Sequence, residues 1–266
     1  AGESVVLTGA DISTGECFYG VYAGKNRQQA LFDELYRVMP AELLFAGELS
    51  FRQEAESFIA QRMAKCAFTD LSPVARPDDM ILRHFGTARR PGDADVETAL
   101  ATLLDYLHGT VMTDLSHISR LTRLESSGRL TLDTATLRNL EITRNLRDGS
   151  KKNTLLDVLD FTGTAMGGRL LRKWLEQPLV SVSDIRARHD AVEELVGDFS
   201  MRSALSGRMK EIYDFERLLT RAEVGAANAR DLVALKVSLA ALPETKALLA
   251  SAKSALLRRG HERIGV

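Results

Sequence analysis

The chain has 266 residues, enough for one large or two medium domains that each bury a core of their own. Apolar residues make up 45% and charged residues 27%, which excludes disordered and collagen-like classes. The net charge is −1 and neither side of residue 91 is basic, so any contact with nucleic acid must come from local clusters of Lys and Arg. The two cysteines, Cys17 and Cys66, have no metal-ligand spacing and suit a reducing cytosol better than a disulfide framework. The N-terminus lacks a basic region before its short apolar run, and no apolar stretch approaches membrane-spanning length. The expectation is a cytoplasmic protein with no membrane partner.

In chain order, SVVLTGADI and ECFYGVYA are β-rich runs joined by Ser13-Thr14-Gly15, the pattern of a hairpin. Residues 26–39 place Leu31, Leu35 and Val38 at helical spacing, closed by Pro40. ELLFAG reads as a short buried strand. Ser50 to Met63 reads as a second helix, with Phe51, Ala55, Phe58, Ile59 and Met63 near one face. KCAFT is a further strand, and Pro77 opens a helix running to about His84. The order β-β-α-β-α-β-α predicts an α/β domain, a sheet with helices packed on it.

At Arg89-Arg90-Pro91-Gly92-Asp93 the composition turns to breakers and charge, which predicts a boundary between domains 1–91 and 92–266. Beyond it the pattern is helical, apart from an extended region near Ile118 to Leu132. Asp133 is expected to cap a helix carrying Leu137, Leu140 and Ile142 that ends at Asp148-Gly149. SKKN then leads to Thr154 and the short helix LLDVLDF. A helix over Ala165 to Glu176 carries the stripe Met166, Leu170, Leu171, Trp174 and Leu175, and Gln177-Pro178 stops it. Ser181 with Asp184 is a capping-box pattern for Ile185 to Val196. A long helix is expected from about Ser200 to Glu223, then the break GAAN, then two more helices divided by Pro243. Helices of this length with short connections predict an all-α bundle or lever.

Residues 161–173, FTGTAMGGRLLRK, approach the phosphate-loop pattern of Gly, four residues, Gly, Lys and Ser/Thr. A phosphate loop needs a strand delivering the chain into a nest of N–H groups at a helix N-terminus. Here the preceding TLLDVLDF has helical periodicity, Arg169 replaces the Lys, and Leu170 replaces the Mg²⁺ ligand. The stretch reads instead as a corner between helices, with Thr162 or Thr164 as N-cap and Gly167 and Gly168 allowing close approach of another helix.

Asp11 on a first hairpin strand is where RNase H-like nucleases place a metal-binding carboxylate and where actin-like kinases place a phosphate loop. Its possible partners are Glu16, Glu42, Glu48 and Asp70, and none lies in a second motif. The competing reading is that Asp11 and Ser13 fix the turn through side-chain to backbone bonds. The histidines, 84, 108, 117, 189 and 261, are scattered singly, and no serine sits in a nucleophile elbow. Among the basic clusters, Lys151-Lys152 in a Gly/Ser loop is the first candidate for a DNA phosphate contact. Arg169/Arg172/Lys173, Arg186/Arg188 and Arg258-Arg259 read as solvated helix faces.

The succession LDTATLRNLEIT, NTLLDVLDFTGTAMGGRLLRKWLEQPL and IRARHDAVEEL resembles the core (lever) domain of the MutS family of DNA mismatch-repair proteins. GADISTGECFYGVY and PAELLFAG resemble the connector domain that precedes the core in that family. The resemblance implies an RNase H-like connector followed by the first part of a helical lever, a piece of a longer protein. It implies that the parent binds double-stranded DNA, self-associates and docks MutL. The parent's ATP and Mg²⁺ would belong to an ATPase domain with no counterpart here, leaving this chain without chemistry or cofactor of its own. Arg76, Asp78, Asp79, Arg83 and His84 are the expected MutL-docking surface. Arg138, Asn139, Glu141, Asp157, Gly167, Gly168, Arg169 and Trp174 are implied to be structural, setting how the core helices meet. An apolar helix surface left uncovered would favour self-association.

Overall fold

The computed structural model describes residues 4–63, 65–86, 91–111, 115–124 and 128–265. They form two compact units, Ala1–Glu125 with Asp133–Ala135, and Ser126–Leu132 with Thr136–Val266.

In the first unit, strands β1 (Ser4–Asp11) and β2 (Glu16–Ala23) form an antiparallel hairpin with Asp11 opposite Glu16. The turn closes because Thr14 N and Gly15 N donate to the Asp11 carbonyl at 3.2 and 2.8 Å. Gly15 sits at φ +69°, and a Cβ there would meet the His117 carbonyl oxygen at 2.3 Å, so both conformation and space require glycine. Strand β5 (Arg120–Arg123) joins β2 in parallel, making a mixed sheet of order β1-β2-β5. Strands β3 (Glu42–Ala46) and β4 (Ala67–Leu71) form a separate parallel pair, so the expected sheet is divided in two.

Helices cover both faces. On one, α3 (Pro77–Phe85) and α4 (Ala94–Val111) bury Ile81, Val96, Leu100 and Leu104 against Cys17 and Ile118, with Val6 and Ala10 of β1 packed on them. On the other, α1 (Arg27–Val38) and α2 (Arg52–Arg62) bury Leu31, Leu35, Ala55 and Ile59, with Val5 and Leu7 packed there. Alternate β1 residues therefore face opposite helical layers, as the period of two in a strand dictates. The boundary expected at 91–92 does not coincide with the division of contacts. Helix α4 completes the first core, because its apolar face meets Cys17 and Ile81. Of the breaker run behind that expectation, Arg89 and Arg90 lie outside the described residues.

The second unit is helical. Helix α5 (Thr134–Asn139) is shorter than expected. Its first residue is held in the first unit, where Asp33 Oδ1 accepts from Thr134 N at 2.9 Å and Oγ1 at 2.7 Å. The helix stops where Glu141 adopts φ +47°, so residues 140–153 run as turns instead of helix. Next come α6 (Leu155–Leu159), α7 (Ala165–Glu176) and α8 (Val182–Gly197), the last capped by Ser181, whose hydroxyl accepts from Asp184 N at 3.3 Å.

The single helix expected over 200–223 is two, α9 (Phe199–Met209) and α10 (Phe215–Glu223). The break is held from outside: Tyr213 N donates to the buried Ser238 hydroxyl at 2.9 Å, and Asp214 caps α10. Conversely, Pro243 divides nothing. It lies inside the continuous α11 (Ala229–Leu249), which begins with a full capping box from Asn228 and Asp231. Helix α12 (Ala255–Arg263) closes the unit.

Candidate functional site

The junction around residues 161–173 is tied both to its own turn and to distant helices of the second unit. The chain arrives from helix α6, turns, and enters α7 with Thr164 as N-cap, its hydroxyl accepting from Gly167 N at 3.0 Å. The glycines act differently from expectation. A Cβ at Gly167 would meet Thr164 Oγ1 at 2.9 Å, and one at Gly168 would meet Thr162 Oγ1 at 3.3 Å. What they admit is their own entry turn. The approach to another helix falls at Gly163, where a Cβ would lie 3.1 Å from Met209 Cβ at the end of α9.

Arg169 spans from α7 to the start of α10. Its guanidinium donates to both Asp214 oxygens at 2.7 and 2.8 Å and to Glu216 Oε2 at 2.6 Å. The fork geometry of Arg suits this two-acceptor arrangement, which a Lys would not reproduce. The pairing raises Arg169 above its ordinary value and holds Asp214 below the usual carboxylate range. The side chain that mimics a phosphate-loop lysine is thus committed to a helix clasp. Farther along, the Arg188 guanidinium of α8 lies 3.5 Å from the centre of the Trp174 ring. Burial, with Arg129 nearby, lowers Arg188. From the same helix, Glu194 accepts Lys253 N at 2.6 Å and Ser254 N at 2.7 Å, so α8 receives the chain entering α12. Those two bonds depress Glu194.

The loop between α5 and α6 is internally tied. Glu141 Oε1 accepts from Leu146 N at 2.6 Å, and Asn145 donates to Ser150 Oγ and the Lys152 carbonyl, both at 3.0 Å. Thr154 caps α6 by accepting from Asp157 N at 3.1 Å, while Asp157 accepts from Asn153 N at 3.0 Å. Lys151 pairs with Asp160, and that contact, with the Thr162 hydroxyl, lowers Asp160 to about 2. The Lys151 charge is therefore partly engaged within the loop, whereas Lys152 is exposed. Arg138 and Asn139 are exposed and bridge no helices in the described hydrogen bonds and ion pairs, Glu141 and Asp157 tie only the loop and the start of α6, and Arg169 and Trp174 join separate helices.

Along α3, Arg76, Asp78, Asp79 and Arg83 are exposed, with Arg76 at the N-cap position. His84 turns inward, its Nε2 within 2.8 Å of the Ile118 carbonyl, and so contributes little to an outer surface. Asp11 behaves as a turn residue: its Oδ1 accepts from Ser13 N at 2.8 Å and Ser13 Oγ at 2.7 Å. Glu42 is occupied by Thr69 and Tyr106 hydroxyls at 2.6 and 2.8 Å, and Asp70 by Arg52. Among the described residues no cluster of three or more His, Cys, Asp or Glu fits a metal ion. The nuclease or phosphotransferase reading of Asp11 has no support in this arrangement. Asp214, Glu216 and Glu194 are the junction residues that sequence reasoning missed, and Arg188, read with Arg186 as a solvated helix face, instead stacks on Trp174. An acid before an apolar run signals a helix cap, but a partner 45 residues away carries no local signal.

Residues 135–264 match the family model described as MutS domain III, almost the whole span of α5–α12. Over 256 residues, 94% of the chain, it is 40% identical to the DNA mismatch repair protein MutS of Desulforamulus reducens. The chain belongs to the MutS family. It is likewise 40% identical over 264 residues to MutS of Pelotomaculum thermopropionicum, and 38% identical over 255 residues to MutS of Methanosarcina barkeri. It spans 29%, 30% and 28% of the length of these three curated relatives, respectively. The ion-paired clasp and the Trp174–Arg188 stack thus lie inside MutS domain III, and the hairpin and α3 lie before it. Among the described residues no helix of this MutS segment is long and apolar enough to cross a membrane.

Proposed function

We propose that this chain is the connector and lever of a MutS mismatch-repair protein, with no chemistry of its own. The observation that carries the reading is the domain III match over a helical unit whose junctions are tied by charge-assisted bonds. Such ties suit a part that transmits displacement, because they hold helix ends in fixed relation. The lever couples the nucleotide state of the parent's ATPase region, where ATP and Mg²⁺ act, to the grip on double-stranded DNA. The first unit is an RNase H-like connector; its strand and helix order and mixed sheet support that assignment. It docks MutL through the exposed charges of α3, chiefly Asp78, Asp79 and Arg83. Lys152, with Lys151, contacts DNA phosphate. Self-association uses apolar side chains exposed on the second unit, such as Val192, Val196 and Phe199. The protein works in the cytoplasm.

Gel-shift titration with matched and mismatched duplexes tests this. Weak binding without mismatch preference is expected, and the slope of log K against log salt should fall by about one in Lys152→Glu. A reproducible preference for the mismatch would sink the claim that recognition lies elsewhere. Capture of purified MutL by the full chain is expected, and its loss in Asp78→Lys/Asp79→Lys/Arg83→Glu. Undiminished capture by that variant removes α3 from the docking surface.

A further inference from the structure

Helix α8 is engaged along one side only. Arg188 meets the Trp174 ring of α7, Glu194 receives the chain entering α12, and Ala191 is buried. At 3.6 residues per turn these three fall on one half of the helix, centred on Ala191. The opposite face is a line of Val182, Arg186, His189, Glu193 and Val196, all within about 40° of its middle. All five are exposed. Among the described residues the side chains of Arg186, His189 and Glu193 make no hydrogen bond or ion pair.

The order along this line is self-complementary. Turned end for end about His189, Val falls against Val, Arg against Glu, and His against itself. Arg186 stands three residues before His189 and Glu193 four after it. That mismatch of one residue is about 1.5 Å along the axis, which two long side chains absorb.

We propose that this face of α8 is a twofold interface, on which a second copy of the chain packs its own α8 antiparallel with the axis at His189. Val182 then packs on Val196 of the second copy, and Arg186 pairs with Glu193 of the second copy, each contact made twice. A parallel pair would set Arg against Arg and Glu against Glu, so charge fixes the direction. Exposed Val192 borders the line on one side and adds apolar area there. A contact the length of one 16-residue helix belongs to the small, transient class of interface, so the dimer is weak and reversible. The inference rests on the self-association reading above and gives it a surface, a partner and a direction.

Sedimentation of the 266-residue chain over a concentration series tests it. A monomer–dimer equilibrium that weakens with added salt is expected. Arg186→Glu and Glu193→Arg each put like charges at both symmetric contacts and should each weaken dimerisation at least roughly tenfold. Mixed in equal amounts, the two variants regain opposite charges at both contacts. The mixture should dimerise nearly as well as the wild-type chain, which also shows that each variant is folded. Coupling by a short bis-maleimide in a Cys66→Ser background reads the direction, since Cys17 is buried. His189→Cys lies on the axis and should couple, whereas Val182→Cys, about 21 Å from its mate, should not. Undiminished association of both charge variants, or no recovery on mixing, overturns the α8 interface and leaves self-association to another surface. Equal coupling through Val182→Cys and His189→Cys overturns the antiparallel direction. A wild-type chain that stays monomeric at every concentration overturns this inference and the self-association reading together. No DNA or MutL enters the assay, so the mismatch-repair reading is untouched by any of these outcomes.

Discussion

Arg169 shows how much a single side chain holds in this molecule. Its fork meets two carboxylates at once, so Arg169→Ala should lower the stability of the second unit by about 1–2 kcal/mol in urea unfolding, discounted for partial exposure. Arg169→Lys should recover less than half of that loss, since an ammonium cannot pair with both carboxylates in the same geometry. Gly15 is constrained differently. Gly15→Ala forces a Cβ into the His117 carbonyl at φ +69° and should cost at least about 1–2 kcal/mol by thermal unfolding. Asp160 supplies a pH signature. Its carboxyl is held at about 2, below the ordinary value, so its contribution is complete above the unfolded value. That contribution is lost as pH falls toward about 2. Lys151→Ala should therefore lower the neutral plateau of a stability-versus-pH profile and flatten its acid limb, leaving stability at low pH nearly unchanged. Cys17 is fully buried and its thiol is pushed up to about 12, so native protein at pH 8 should resist iodoacetamide at this position until it unfolds.

At the scale of elements, local signals and tertiary contacts divide the work. The helix expected over Ala165–Glu176 is the one observed, because its cap, its stripe and its Gln177-Pro178 stop all lie within residues 164–178. The hairpin is equally local. Two expectations fail in opposite directions for one reason. The run 200–223 has unbroken helical periodicity, yet Ser238 from α11 holds Tyr213 in the gap between α9 and α10. Pro243 carries a breaker signal, yet α11 continues through it, with buried Thr245 donating to the Ala241 carbonyl at 2.8 Å. Since Pro243 itself is exposed and has no N–H to give, Pro243→Ala should stabilise α11 by about 1–3 kcal/mol. Calorimetry of the variant checks this, and a lower transition temperature would mean that the proline ring itself is needed for packing.

Over the whole molecule, the two units differ in how they are held. Among the described residues, the first contains both contiguous apolar clusters, one on each side of its strands. In the second, the buried apolar residues are more scattered, and Val192, Val196, Phe199, Leu232 and Val233 are exposed. Amide exchange should therefore be slowest in α4 and clearly faster through α8–α12, since local stability follows buried apolar contact. Sedimentation should show reversible self-association that weakens in Val196→Asp/Phe199→Asp. Composition, the hairpin, the order of the first elements and the family resemblance were all legible in the sequence. They depend on neighbours in the chain or on residue patterns that persist between relatives. Tertiary structure alone decided that α4 belongs to the first core, that the strands form two sheets, and that Arg169 closes on Asp214 and Glu216. Each of these joins residues tens of positions apart, and one sequence does not record which distant surfaces lose their water together.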